Sequence, residues 1–132
     1  MRPDLEQAFI KKYVLKSKRK RYLGFIAKDK TRRGFLEMLY HGQDLDKNML
    51  RELRGSHQQQ VAEIRTKAAS FKKGNQCYVI SIDEQWDGKE MPTDEAIEKI
   101  VNNFTEATVL LFGDGAGLYY EGEPPYNYYV SL

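Results

Sequence analysis

Cys77-Tyr78-Val79-Ile80-Ser81-Ile82 is the first run of the chain that reads as a β-strand. It is short, rich in β-branched and aromatic residues, and bounded by turn residues on either side. Up to Lys73 the apolar residues recur at helical spacing; beyond residue 75 they gather into short runs. That switch predicts an α+β fold, with an N-terminal helical cluster followed by a small mixed sheet in the order β-α-β-β-β. The 132 residues fit one domain, with 1–73 as its helical half and 75–132 as its sheet half.

Outward from the strand toward the C-terminus, Asp83 to Pro92 reads as a polar connection containing Asp87-Gly88. Thr93, with Asp94 and Glu95 in the first turn, opens a helix bearing Ala96, Ile97, Ile100, Val101 and Phe104. Thr108 to Phe112 is a strand, Gly113 to Gly117 a turn and Leu118 to Glu121 another strand. Tyr126 to Ser131, after Pro124-Pro125, is a further one. Were the first two strands parallel neighbours, their crossover would be right-handed.

Toward the N-terminus, Asp4 is placed to cap a helix carrying Leu5, Ala8, Phe9, Tyr13 and Val14. Tyr22, Phe25 and Ile26 form a second apolar stripe. Thr31 caps a third helix, with Phe35, Leu36, Leu39 and Tyr40 on one side and His41-Gly42 at its end. Asp46 starts a short helix through Met49, Leu50 and Leu53. Ser56 and Gln59 have capping-box spacing before Val61, Ile64, Ala68 and Phe71, and Gly74 suits the C′ position of that helix.

Composition narrows the function classes. Hydrophobic residues make up 41% and charged residues 30%, which suits a globular protein rather than a disordered one. Cys77 is the only cysteine, so a disulfide framework and a Cys-based zinc site are excluded. The start Met1-Arg2-Pro3-Asp4-Leu5-Glu6 lacks an apolar h-region, and no run approaches the roughly 18 apolar residues of a membrane span. The expected location is the cytoplasm, with no membrane partner and no cofactor. The net charge of +2 hides a split: residues 1–73 hold 19 Lys and Arg against 8 Asp and Glu, residues 74–132 hold 2 against 11. Balances of +11 and −9 suit two halves that attract one another, within one fold or across a dimer.

Several short motifs carry a family likeness. Lys16-Ser17-Lys18-Arg19 before Arg21-Tyr22, Phe35-Leu36, Leu39-Tyr40-His41, and Asp44-Leu45-Asp46 are joined by Tyr78-Val79-Ile80-Ser81, Asp87-Gly88 and Leu118-Tyr119-Tyr120-Glu121-Gly122. Together the chain resembles a family of small uncharacterised bacterial proteins. No activity is assigned to that family, so the resemblance implies no catalytic residue.

The features that suggest chemistry each have a plain structural reading beside them. The basic run Lys16 to Arg21, supported by Lys28, Lys30, Arg32 and Arg33, has the residue types that neutralise phosphates. On a helix its azimuths spread around the axis, so Lys18, Arg19, Lys20 and Arg21 are expected to contact the acidic half more than nucleic acid. Gly113-Asp114-Gly115-Ala116-Gly117 is rich in glycine, but a strand follows it, so a ligand-free hairpin turn is expected. His41, Asp44 and Asp46 are the nearest approach to a catalytic cluster, although each also suits a helix end or turn. His57 lies in the capping-box turn. Asp83, Glu84, Asp87 and Glu90 form an acidic loop without calcium-loop spacing, and Cys77 reads as a buried small hydrophobe. Tyr119, Tyr120, Tyr126, Tyr128 and Tyr129 crowd the last strands and suit an amphipathic partner surface.

Three readings follow, in this order. The first is a non-enzymatic domain that binds a protein partner, or a second copy of itself, through a tyrosine-bearing sheet including Tyr119, Tyr126 and Tyr128. The second is a nucleic-acid-binding accessory using the basic helices. The third is an enzyme with a histidine–carboxylate pocket.

Overall fold

A computed structural model describes residues 1–103, 106–123 and 128–132. Its helices are α1 (Pro3–Tyr13), α2 (Arg19–Ile26), α3 (Arg32–His41), α4 (His57–Ala69) and α5 (Thr93–Ile100). Its strands are β1 (Leu50–Glu52), β2 (Gln76–Ser81), β3 (Glu90–Pro92), β4 (Thr108–Phe112), β5 (Gly117–Glu121) and β6 (Tyr128–Ser131). They form one sheet in the order β1-β6-β5-β4-β2-β3. The fold is α+β, with three helices preceding the first strand.

Helices cover both faces of the sheet. Phe9, Ile10 and Tyr13 of α1, Tyr22 of α2 and Phe35 and Leu39 of α3 pack with Tyr78, Ile80, Val109, Leu111, Leu118 and Tyr120 on one face. Ile64 and Ala68 of α4 and Ala96, Ile97 and Ile100 of α5 pack with Cys77, Val79, Leu110, Phe112, Tyr119 and Val130 on the other. Alternate residues of each strand point to opposite faces, so two covered faces require both sets to be apolar. That is why β4 reads Thr-Val-Leu-Leu-Phe without a polar interruption.

The sheet is antiparallel at every pairing, where a mixed one was expected. The cause is β3, which lies inside the supposed polar connection. It folds back along β2, pairing Met91 with Cys77, and so returns the chain to the end where β2 began. There the Thr93 hydroxyl donates to the Gly74 carbonyl at 2.6 Å. From that point α5 runs the length of the sheet, and β4 must come back antiparallel to β2.

The expected helix from Asp46 is a single 3-10 turn, Lys47–Met49, followed by β1. Asp46 does cap it, accepting from the Asn48 amide at 3.1 Å. A helix this short gains little from its own hydrogen bonds, whereas Leu50 to Glu52 find partners along β6. Asp4 lies inside the first turn of α1 rather than at its cap, and the Arg2 side chain clasps it. The capping box at Ser56 and Gln59 forms. Helix α4 nevertheless ends at Ala69, so Gly74 is not its C′ residue; it lies so close to the Ala68 carbonyl that a Cβ would be 1.6 Å away. Gly42 ends α3 as expected, with φ of 64°. Residues 113–116 join β4 to β5 as a hairpin turn.

Candidate functional site

The register sets a row of polar side chains across the sheet. Ser81 lies opposite Thr108, Thr108 opposite Glu121, and Glu121 opposite Tyr128. Glu121 shares its strand face with Tyr119, two residues before it, and so belongs to the side covered by α4 and α5. Ser81 and Thr108 satisfy one another through a 2.7 Å hydroxyl contact, and the Thr108 hydroxyl also reaches the Glu106 carbonyl.

Glu121 is different. It is 1% exposed, and among the described residues neither carboxyl oxygen has a hydrogen-bond partner. The buried Tyr119 hydroxyl lacks one too. The phenol lies near enough to favour ionisation of the carboxyl slightly, but no hydrogen bond of normal geometry closes between them. Burial dominates and pushes the Glu121 carboxyl up to about 8, so it is largely protonated at neutral pH. Beside it, the Tyr119 and Tyr128 rings stack with centroids 6.5 Å apart and planes at 13°.

Two loops flank this end of the sheet. Helix α4 starts here, because the Leu53 amide just before it bonds to the Tyr128 carbonyl at 2.7 Å. Helix α5 ends here, having begun at the opposite end beside Gly74. A hydrogen bond of 2.7 Å between Asn102 Nδ2 and His57 Nδ1 links the two helix ends. Asn102 holds a left-handed backbone, φ 58°, which asparagine tolerates better than most residues.

The second feature is a cationic surface. Lys16, Lys20 and Arg21 are exposed and Lys18 and Arg19 partly so. Arg19 Nε donates to the Val14 carbonyl at 2.9 Å, and the Arg21 guanidinium lies over the Phe25 ring at 5.4 Å. Among the described residues, no ion pair joins any of these five cations to a carboxylate. The two halves of the chain do attract one another, but through other residues. Arg2 pairs with Glu90, Arg32 with Asp87, Arg65 with Asp94 and Lys73 with Asp114. The expected contacts between Lys18–Arg21 and the acidic half are therefore absent. Arg2, Arg32, Arg65 and Lys73 lie on elements adjoining those carboxylates, whereas α2 packs against α1 and α3 on the other face from α5.

The remaining candidates fall into structural places. His41 Nδ1 meets Glu123 at 2.5 Å on the surface, Asp44 accepts from the Tyr22 hydroxyl, and Asp46 is the cap described above. These three do not converge on one point. Asp87 is held by two hydrogen bonds of 2.9 Å from Arg32, Glu90 by Arg2, and Asp83 by the Gln85 amide. No group of three or more His, Cys, Asp or Glu side chains is placed to hold a metal ion among the described residues. Cys77 is buried, and burial pushes its thiol up to about 12, far from a nucleophilic thiolate. Tyr119 and Tyr120 are enclosed in the two cores, so the sheet presents neither ring to a partner; Tyr128 and Tyr129 are half-buried. Tyr126 lies outside the described residues.

Sequence reasoning missed Glu121. The available signal was a carboxylate alternating with Tyr119 in an otherwise apolar strand, but only the register and the cover of α4 and α5 bury it. Comparison with known proteins gives no relative to set beside this geometry: no family model, no curated protein and no solved structure matches the chain.

Proposed function

We propose that the chain is a non-enzymatic binding protein that docks nucleic acid through the cationic surface around α2. One observation carries this reading: among the described residues Lys16, Lys18, Arg19, Lys20 and Arg21 have no carboxylate partner, although cations elsewhere bond to the acidic half. Unpaired cations on a folded surface keep their full capacity to neutralise phosphates and release counterions. The acidic helix α5 does not oppose such a partner. Asp94, Glu95 and Glu98 belong to α5 across the sheet from α2, a separation on the order of 20 Å, beyond the ~8–10 Å reach of a charge at physiological salt.

The surface is suited to phosphate backbone rather than to base reading. The side chains that project from it are Lys and Arg, and Tyr22 is buried beneath Arg21. Binding is therefore expected to be sequence-tolerant and steeply salt-dependent. Four phosphate contacts weaken affinity roughly a hundredfold between about 50 and 200 mM salt. The test is titration of the chain and a Lys18/Arg19/Lys20/Arg21→Ala variant against labelled duplex DNA and single-stranded RNA at both salts. Salt-steep binding by the wild type, lost in the variant, supports the reading. Wild-type affinity that is weak and flat with salt removes it.

A further inference from the structure

We infer that Glu121, Tyr119 and Tyr128 form a binding site for a small organic cation, a ligand bearing a protonated amine or guanidinium group. The site is separate from the cationic surface and does not depend on the function proposed for it. Its main support is the pair of Glu121 oxygens, 1% exposed and without partners among the described residues. Buried polar groups are nearly always hydrogen-bonded, and one left unpaired calls for an explanation. Among the described residues the Tyr119 hydroxyl, on the same face and two residues away, likewise has no hydrogen bond of normal geometry.

The chemistry of the surroundings selects the ligand class. A carboxyl that gives up its proton offers only acceptors, and a phenol oxygen accepts as well as donates, so the complementary group is rich in donors. The walls are aromatic: the Tyr119 ring stacks with that of Tyr128, which the register sets directly across from Glu121. A carboxylate beside tyrosine rings is the combination that holds an organic cation, by charge on one side and by ring faces on the other. A hard metal cation is a poor fit, because it needs six or more oxygen ligands and this row supplies one carboxylate. An anion is a poor fit, because the row Ser81, Thr108, Glu121 and Tyr128 contains no cationic side chain. Val130 and Leu110, buried on the same face, make the surroundings of the row apolar.

Entry has a defined place. The polar row ends the sheet where α4 begins and α5 stops, and the hydrogen bond between His57 and Asn102 spans those two ends. That contact belongs to no strand pairing, so it can break while the sheet stays intact. Once a cation sits against Glu121, the carboxyl gives up its proton and becomes the counter-ion. Binding near neutral pH thus releases a proton.

The experiment uses calorimetry on the full chain with n-butylammonium and agmatine as cationic ligands and n-butanol as the uncharged control. Repeating it in buffers of different ionisation enthalpy counts the protons released. The wild type is expected to bind at least one cation saturably at millimolar concentration or tighter, with proton release approaching one. It should bind n-butanol at least roughly tenfold more weakly. Glu121→Gln keeps the shape of the neutral carboxyl and should lose both cation affinity and proton release. Should Glu121→Gln not fold, Tyr119→Phe removes only the hydroxyl and should weaken binding while the proton release persists. No saturable cation binding by the wild type, equal binding of n-butanol, or undiminished binding to Glu121→Gln would each overturn the inference. Because no nucleic acid is present, failure here leaves the reading of the α2 surface intact.

Discussion

Arg32 shows how much one side chain can hold in this molecule. Its Nη1 meets Glu6 of α1 at 2.5 Å, while Nε and Nη2 clasp both oxygens of Asp87 at 2.9 Å. Glu6 in turn accepts from the Tyr78 hydroxyl at 2.6 Å, and Asp87 from the Ser81 amide at 3.1 Å. The Arg32 side chain is only 12% exposed and that of Glu6 3%, so both charges are largely out of water and each needs the other. Arg32→Met leaves two carboxylates without their cation and is expected to cost about 3–5 kcal/mol. Urea unfolding checks this; a loss under about 1 kcal/mol would mean that water replaces the guanidinium freely.

Glu121 gives the opposite case, a buried acid whose charge the Tyr119 phenol stabilises only slightly. Its carboxyl is raised from the usual 4.5 to about 8 in the folded chain. Between those values the folded state binds more protons than the unfolded one, so this group lowers stability as pH rises through that window. Below about 4.5 the contribution is fully present, and above about 8 the loss levels off. Glu121→Gln carries no such titration. The variant is expected to gain stability relative to wild type from pH 5 to pH 8, with other ionising groups cancelling in the comparison. A constant difference across that range would show that the acid is already solvated in the fold.

Among the elements, those with strong local grammar were legible and those made by pairing were not. The α4 start is a case of the first kind: Ser56 accepts from the Gln59 amide and the Gln59 side chain accepts from the Ser56 amide, as their spacing alone predicts. Ser56→Ala is expected to cost about 1 kcal/mol, measured by thermal or urea unfolding. Strands β1 and β3 are cases of the second kind. Each has three residues, too few for a periodicity to show, and each exists because a neighbouring strand supplies its hydrogen bonds. Both are edge strands, blunted by Arg51 and Glu52 on one side and Glu90 and Pro92 on the other. The glycine-rich turn is intermediate. Its turn character was readable, but the reason for Gly117 was not: a Cβ there would stand 2.2 Å from the Phe71 ring, tucked in from the end of α4. Gly117→Ala is expected to cost about 1–3 kcal/mol through overpacking, and much less in a Phe71→Ala background. Equal costs in both backgrounds would locate the strain elsewhere.

At the scale of the whole molecule, the charge split counted along the chain is bridged in part: Asp87 and Glu90 meet Arg32 and Arg2, and α4, from the basic half, shares a face with α5. The count could not say which cations would find carboxylates, because that depends on which helix covers which face. Arg2, Arg32, Arg65 and Lys73 reach the acidic half; among the described residues the run from Lys16 to Arg21 makes no ion pair with it. The candidate site was illegible for a related reason. Glu121 is an ordinary strand-end glutamate until β6 and two helices close over it.

The basic run makes a last prediction about stability alone. Lys16, Lys18, Arg19, Lys20 and Arg21 are close in sequence, carry the same sign and, among the described residues, have no counter-charge within ion-pair distance, so their mutual effect is repulsive. Against this stand the Arg19 bond to the Val14 carbonyl and the stacking of Arg21 on Phe25, together worth on the order of 1–2 kcal/mol. The two effects oppose one another, and only the first is screened by salt. Neutralising Lys18 and Lys20 together removes repulsion and leaves both arginine contacts in place. Lys18→Ala/Lys20→Ala is therefore expected to be at least as stable as wild type at low ionic strength, with an advantage that shrinks as salt is added. Urea unfolding at two ionic strengths measures it. A double variant that is several kcal/mol less stable, or whose deficit shrinks with salt, would mean that these lysines are held by attraction inside the fold. In that case the surface would not be free to meet phosphate.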